Sequence, residues 1–251
     1  MNDESIIVKN LRVKYGIVTV LDDINFSVPK NSFVSVIGPN GAGKSTLIKV
    51  LLGLKKYSAG KVSLFGKEPT KVDPHLISYV PQIKTMDRTF PAMAVELVLS
   101  GLKQRWPWKL GGDARVKAEN ALQLVGAKQI ANRPIAELSG GELQRVCIAR
   151  SIVKNPKLII LDEPAAGIDA VGESDLYNLM EEYQHKSDAT FLMITHDWHI
   201  ANHHSDFVLV LNKKQISFAP PSESLVEENM RRAFGHIGHD HSLKSGHQNN
   251  V

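Results

Sequence analysis

The chain of 251 residues is 43% hydrophobic and 22% charged, the balance of a compact globular protein, which excludes wholesale disorder, collagen and coiled coil. Thirty basic residues against 26 acidic ones leave a net charge of +4, too small an excess to call for nucleic acid. A single cysteine, Cys147, excludes an internal disulfide, and the polar start Met1-Asn2-Asp3-Glu4 lacks the pattern of a secretory leader, so a reducing, cytoplasmic home is expected.

Taken in chain order, Ile6 to Val8, Leu11 to Val13, Val18 to Val20 and Ile24 to Val28 cluster or alternate β-branched residues between turn residues such as Gly16 and Asn31, and they predict a strand-rich opening. Phe33 to Ile37 reads as a further strand that runs into glycines, and Ser45 to Leu54 carries helical periodicity. From Val95 the pattern changes: Val95 to Leu102, Ala114 to Val125 and Gly140 to Val153 read as helices with Gly, Pro and Asn between them. Strands resume at Leu158 to Leu161, Thr190 to Ile194 and Phe207 to Leu211, and a helix over Ser174 to His185 makes the first two a βαβ unit with buried parallel strands. From about Gly235 the chain is Gly-, His- and Asn-rich without periodicity and reads as a flexible tail. No run of apolar residues reaches the length of about 18 that crosses a bilayer, so a membrane role has to come through a partner.

Gly38-Pro-Asn40-Gly41-Ala42-Gly43-Lys44-Ser45, followed by Thr46, is a glycine loop between a strand and a helix. By composition alone the pattern arises in roughly one of 100 chains this long, and its context strengthens it. The chemistry follows from the charge of a polyphosphate. Glycines let backbone N–H groups wrap the phosphates, the helix N-terminus adds partial positive charge, Lys44 reaches the β- and γ-phosphates, and Ser45 offers a hydroxyl to Mg²⁺.

The apolar run Leu158 to Leu161 ends in Asp162-Glu163-Pro164. Ligands of open α/β sheets sit at the carboxyl ends of the strands, so Asp162 is placed to hold Mg²⁺ and Glu163 to polarise an attacking water. Leu138-Ser139-Gly140-Gly141-Glu142 opens a helix as a capping box. A cap explains Ser139 and Glu142 but not two glycines in the first turn, where each costs up to about 1 kcal/mol against alanine. Bare backbone there suits a phosphate.

With these motifs in this order the chain resembles the ATP-binding cassette (ABC) ATPases from about Ile6 to Gly235. The resemblance also takes in Tyr15, Gln82 in Tyr-Val-Pro-Gln, Ala166-Gly-Ile-Asp169 and Thr195-His196-Asp197. It implies an α/β P-loop NTPase fold (RecA-like): a parallel-sheet core, an N-terminal antiparallel β subdomain and an inserted α-helical subdomain at about 88–155. The cassette would span 1–235, with a His-rich tail at 236–251. It further implies ATP hydrolysis with Mg²⁺. Tyr15 would stack on adenine with Val20 beside it, Gln82 would sense Mg²⁺ and the water, Glu163 would be the general base, and His196 the switch histidine on the γ-phosphate. Asp169 would belong to a dimer-contact loop. Ser139, Gly140 and Gly141 would close on the ATP of a second subunit, which makes a head-to-tail homodimer with two sandwiched nucleotides.

Within the family the chain is most similar to manganese, zinc and iron-chelate importer subunits, by Phe90-Pro91 with Val95 to Gly101, Asn132 to Ile135, Pro220-Pro221 and Glu227 to Gly235. It departs at Ala92-Met93-Ala94, where those relatives open the helix with Ser or Thr. The resemblance implies membrane permease subunits as partners, an extracytoplasmic substrate-binding protein indirectly, no nucleic acid, and a place on the cytoplasmic face of the membrane. Other ABC roles and a P-loop kinase are the alternatives; a kinase leaves Ser139 to Glu142 and His196 without a task.

Four further features carry expectations. Trp106 and Trp108, in the stretch Lys84 to Leu110 with Met86, Phe90 and Met93, suit a docking surface for a permease helix. His236, His239, His241 and His247 with Asp240 suit zinc, nickel or copper, against a solvated tail with no role. Cys147 reads as core, and His199, His203 and His204 as a solvated helix and loop.

Overall fold

A computed structural model describes residues 3–82, 90–102, 112–166 and 168–235. The opening forms one long hairpin, not a series of short strands: β1 (Glu4–Tyr15) and β2 (Val18–Pro29) pair antiparallel along their length. The interruptions expected between strands are irregularities within the ladder. Asn10 and Asp23 adopt φ of 48° and 57°, a left-handed conformation that short polar side chains tolerate. Asn25 Oδ1 accepts the Asn10 N–H at 2.7 Å, so pairing continues past the irregularity.

β3 (Phe33–Ile37) and α1 (Lys44–Leu51) flank the glycine loop. The helix stops three residues before the expected Leu54 because Gly53 turns out at φ 71°. β4 (Ala59–Leu64) pairs antiparallel with β1 and completes a three-stranded sheet ordered β2-β1-β4. β5 (Ile77–Val80) precedes the helical block of α2 (Ala94–Leu99), α3 (Gly112–Leu124) and α4 (Gly140–Ile152), which pack on one another. Met93 has no hydroxyl to cap α2, but Glu96 Oε2 accepts its N–H at 2.8 Å, so half of the capping arrangement survives.

β6 (Leu158–Asp162), α5 (Ala170–Ser187) and β7 (Thr190–Ile194) make the expected βαβ unit, followed by α6 (Trp198–His204), β8 (Phe207–Asn212), β9 (Lys214–Ala219), α7 (Pro221–Ser224) and α8 (Glu227–Phe234). The second sheet is ordered β5-β6-β7-β3-β8-β9, parallel except for β9. Its central strands are buried on both faces, as continuous apolar runs require. Ile159, Leu161, Phe191 and Met193 face the helical block, while Leu158, Ile160, Leu192 and Ile194 face β1, β2 and α1.

Candidate functional site

The strand order brings four carboxyl ends side by side. Gln82 follows β5, Asp162 and Glu163 end β6, Thr195 and His196 follow β7, and the glycine loop follows β3, all on strands that run the same way. A cavity of about 230 Å³ opens there, lined by Val20, Asn40, Gly41, Ala42, Gly43, Lys44, Ser45, Thr46, Asp162, Glu163, Ile194 and His196. The loop's shape is fixed from beneath. A Cβ on Gly38 would sit 2.0 Å from the Leu211 carbonyl oxygen, and one on Gly43 (φ 101°) 2.5 Å from Leu21 Cδ2. These two glycines are required by packing before any ligand is considered.

Lys44 is buried, and its ammonium donates to the carbonyl oxygens of Gly38 at 2.6 Å and Pro39 at 3.0 Å. Burial lowers its pKa, against the pull of Glu163 and Asp162. Burial likewise raises the pKa of Asp162, with the neighbouring Glu163 charge adding to the rise while Tyr79, Lys44 and His196 oppose it. Glu163 sits at φ 49°, its N–H bonded to the Ile194 carbonyl at 3.1 Å. Its carboxylate is held from both sides: Gln82 Nε2 donates to Oε2 at 2.6 Å, and His196 Nε2 contacts Oε1. The structure thus joins into one cluster three residues far apart in the chain.

Ser139, Gly140, Gly141 and Asp169 lie in another place. Ser139 caps α4, its Oγ accepting the Glu142 N–H at 3.2 Å while Glu142 Oε2 accepts the Ser139 N–H at 2.8 Å. Asp169 caps α5 by accepting the Gly172 N–H at 2.9 Å. Ser139, Gly140, Gly141 and Asp169 line a separate pocket with Ile168 and Arg145. None of them lines the cavity at the glycine loop, so the two sets of residues lie in separate pockets.

Tyr15 does not line that cavity either. It is 44% exposed, with the Lys55 ammonium 3.7 Å from its ring centroid. Cys147 packs against the core, and burial pushes its thiol up to about 11. His199 and His203 are exposed on α6, whereas His204 departs from the solvated reading: it is half-buried, with Nδ1 2.7 Å from Glu181 Oε1 and its ring stacked on Tyr177. Trp106, Trp108, Met86, His236, His239, Asp240, His241 and His247 lie outside the described residues.

Sequence reasoning missed Tyr79, whose hydroxyl donates to Asp162 Oδ2 at 3.2 Å. Burial, helped by the Asp162 charge, pushes its pKa up to about 12, so it stays a donor. Tyr79 opens the Tyr-Val-Pro-Gln run that marks Gln82, but nothing in that run gives the tyrosine a task of its own. Arg133, which donates to Glu142 Oε1 at 2.8 Å and so steadies the Ser139 cap, was also missed.

Comparison with known proteins bears on this geometry. A family model described as ABC transporter matches residues 21–166. The chain is 38% identical over 232 residues to the manganese transport system ATP-binding protein MntB of Bacillus subtilis, covering 90% of each. It is 36% identical over 251 residues to the zinc import ATP-binding protein ZnuC of Pseudomonas entomophila, covering 96% of this chain and 91% of that one. Among solved structures, the ADP conformation of an ATP-binding cassette of an ABC transporter matches with a TM-score of 0.81 and 27% identity, over 93% of this chain and 99% of that one.

Proposed function

This chain belongs to the ABC transporter ATP-binding family, and from that premise we propose that it hydrolyses ATP to power uptake of a transition metal, zinc, manganese or an iron chelate, through a separate permease. The observation that carries the ATPase reading is Glu163, held between Gln82 and His196 on the rim of the cavity that Lys44 lines. The metal class rests on relatives named for manganese and zinc. The test is uptake of zinc, manganese and iron by cells carrying the chain with or without an intact Lys44. Loss of uptake of one metal supports the reading, and unchanged uptake of all three sinks the transport role.

Nucleotide phosphates would be wrapped by the N–H groups of Gly41, Gly43, Lys44, Ser45 and Thr46, with Asn40 and Ala42 shaping the loop and Gly38 seating it on Leu211. Lys44 would exchange the Gly38 and Pro39 carbonyls for phosphate oxygens. Adenine would lie toward Val20 and Tyr15, where it meets Lys55. Mg²⁺ fits the donor set: a Ser45 hydroxyl and an Asp162 carboxylate whose charge burial disfavours, both on the same cavity, with Gln82 reaching it across Glu163. Bound there, it would neutralise charge developing on the phosphates. Glu163 would accept the proton of the attacking water, and His196, already on the Glu163 carboxylate, would turn to the γ-phosphate.

Tyr79→Phe removes the donor to Asp162 Oδ2. The Mg²⁺ concentration for half-maximal turnover is expected to rise about threefold to tenfold, as for loss of one hydrogen bond to a charged group at a partly exposed site. Turnover at saturating Mg²⁺ should change less. A Mg²⁺ titration that superimposes on that of the parent would make Tyr79 a packing residue only.

The two separate pockets support a head-to-tail homodimer in which Ser139, Gly140, Gly141 and Asp169 of one subunit cover the nucleotide of the other. Gly141 is the informative position. Among the described residues a Cβ there would meet only Ile168 Cγ2, at 3.7 Å, an ordinary contact. None of the described neighbours demands glycine. Gly141→Ala is therefore expected to stabilise α4 by up to about 1 kcal/mol, raising Tm by a few degrees, while ATP-driven association and turnover fall. Calorimetry and light scattering on one sample check both, and a variant that still dimerises and turns over normally would contradict the sandwich.

Among the described residues no helix is long and apolar enough to cross a membrane, which fits a peripheral subunit on the cytoplasmic face that docks on permease subunits, with an extracytoplasmic binding protein reached through them. Phe90 and Met93, 47% and 41% exposed just after Gln82, would form part of the docking surface. The cassette would span 1–235, with a helical subdomain over about 88–155 and the tail at 236–251.

A further inference from the structure

The capping box that opens α4 is braced by a side chain from outside its pocket. Arg133 Nη1 donates to Glu142 Oε1 at 2.8 Å, and Nη2 to the Glu137 carbonyl at 2.9 Å. The other carboxylate oxygen, Glu142 Oε2, accepts the Ser139 N–H at 2.8 Å. The return bond, from the Glu142 N–H to Ser139 Oγ, is longer at 3.2 Å. The carboxylate is therefore the firmer half of the box, and Arg133 fixes its second oxygen. The Ser139 backbone N–H above all, with Arg133 assisting, holds the Glu142 carboxyl below its usual value although burial works against it. It stays an anion beside the positive end of α4.

The backbone of Arg133 is pinned in turn. Residues 131–135 pair with the segment that opens α2: the Ala94 N–H donates to the Arg133 carbonyl at 3.0 Å, the Val95 N–H to that of Ala131 at 2.9 Å, and the Ile135 N–H to that of Ala92 at 2.9 Å. From α3, Arg115 Nη2 donates to Asn132 Oδ1 at 2.8 Å. A guanidinium on a fixed backbone, bonded through two of its N–H groups, has little freedom left. The Arg133 and Glu142 side chains are 43% and 32% exposed, so their pairing adds little to folding stability. What it supplies is orientation.

We propose that Arg133 is a positioning residue for the nucleotide of the opposite subunit. By fixing Glu142 it keeps Ser139 and the first-turn N–H groups of α4 aimed in one direction, so that they meet phosphate oxygens without rearranging when two subunits close. Arg133 itself touches no nucleotide. Without it the Glu142 carboxylate swings to water part of the time, and closure must first restore the cap. The inference rests on the head-to-tail reading above. It predicts a defect confined to association, because Arg133 is absent from the cavity around Lys44.

The experiment compares two measurements on the full-length chain, with every variant also carrying Glu163→Gln so that ATP is not consumed. Light scattering over a range of protein concentrations gives the midpoint of ATP-driven association. A fluorescent ATP analogue, titrated well below that midpoint, gives the affinity of the single subunit. Arg133→Ala should raise the association midpoint about threefold to tenfold, less than outright loss of a cap, and leave the single-subunit affinity unchanged. Arg133→Lys, which can reach Glu142 but not the Glu137 carbonyl as well, should fall between. In a Glu142→Ala background Arg133→Ala should add nothing, since it acts through that carboxylate. Ser139→Ala serves as the reference for the dimer. If Ser139→Ala raises the midpoint and Arg133→Ala does not, the proposal is overturned and the head-to-tail reading stands. If neither raises it, the reading falls and takes the proposal with it. Equal losses in association and single-subunit affinity, or an undiminished loss in the Glu142→Ala background, would overturn the proposal by making Arg133 a residue of general structure.

Discussion

Glu163→Gln is expected to slow ATP turnover by about 10²- to 10⁴-fold, the range for loss of a positioned general base, while ATP still binds and the ATP-bound dimer accumulates. The substitution keeps the shape of the side chain and the φ of 49° that aims it. It changes the chemistry in two ways. An amide cannot take the proton of the attacking water. It also offers only one oxygen, whereas the carboxylate now meets Gln82 on Oε2 and His196 on Oε1. The contact to His196 survives only if its Nε2 turns acceptor for the new NH2, which a protonated ring cannot do, so His196→Ala in the Glu163→Gln background should cost less than in the parent. Phosphate-release kinetics and light scattering with ATP measure both parts. Turnover within a few-fold of the parent would remove Glu163 from the chemistry.

The expectation depends on proximity that the sequence does not express directly. Glu163 and His196 come together because β6 and β7 are adjacent parallel strands in register, Asp162 opposite Ile194. The strands themselves were plain in the sequence. Thr190 to Ile194 matches β7 residue for residue, since a strand buried on both faces must be a continuous apolar run. The elements that escaped were those whose reasons lie elsewhere in the fold. β5 is four residues long and β4 contains glycine and lysine, and each persists by pairing with a longer neighbour, β6 or β1. Asn10 and Asp23 look like strand breakers and instead absorb irregularities in a continuous ladder.

The same distinction runs through the site. Residues in a motif could be named because their spacing is imposed by a local backbone shape: the loop at 38–46, the Ser139 cap, the acids ending β6. Tyr79 stands in the Tyr-Val-Pro-Gln run, yet its role could not be named from it, because that role comes from a hydrogen bond across strands to Asp162. The meaning of the glycines also separates only in three dimensions. Gly38 and Gly43 are excluded from change by Leu211 and Leu21, whereas Gly141 has room. A sequence motif gives these residues equal weight, although two serve the subunit's own packing and, among the described residues, the third has no neighbour that demands glycine.

Lys44→Ala is expected to weaken ATP binding by about 30-fold to several thousand-fold, the equivalent of the roughly 2–5 kcal/mol lost when one member of a buried charged contact is truncated. Folding should be spared. Burial lowers the Lys44 pKa in the folded chain although Glu163 and Asp162 pull the other way. The native state therefore holds this proton less tightly than the unfolded chain does. A group of that sign costs stability while it is charged, and the cost fades as pH rises through the folded and then the unfolded pKa. Removing the ammonium takes that cost away, while the Gly38 and Pro39 carbonyls it now satisfies can turn to water at the cavity mouth. Tm at neutral pH should hold or rise slightly. Asp162 responds in the opposite sense, because Lys44 is one of the charges that restrain its raised pKa. Without Lys44, the acid limit of any remaining Mg²⁺-dependent binding should move to higher pH. A fluorescent ATP analogue titrated at several pH values, beside thermal melts of the same samples, reads all three effects. Unchanged affinity in a folded variant would mean that this lysine does not meet the nucleotide, and the phosphate site would have to be sought elsewhere.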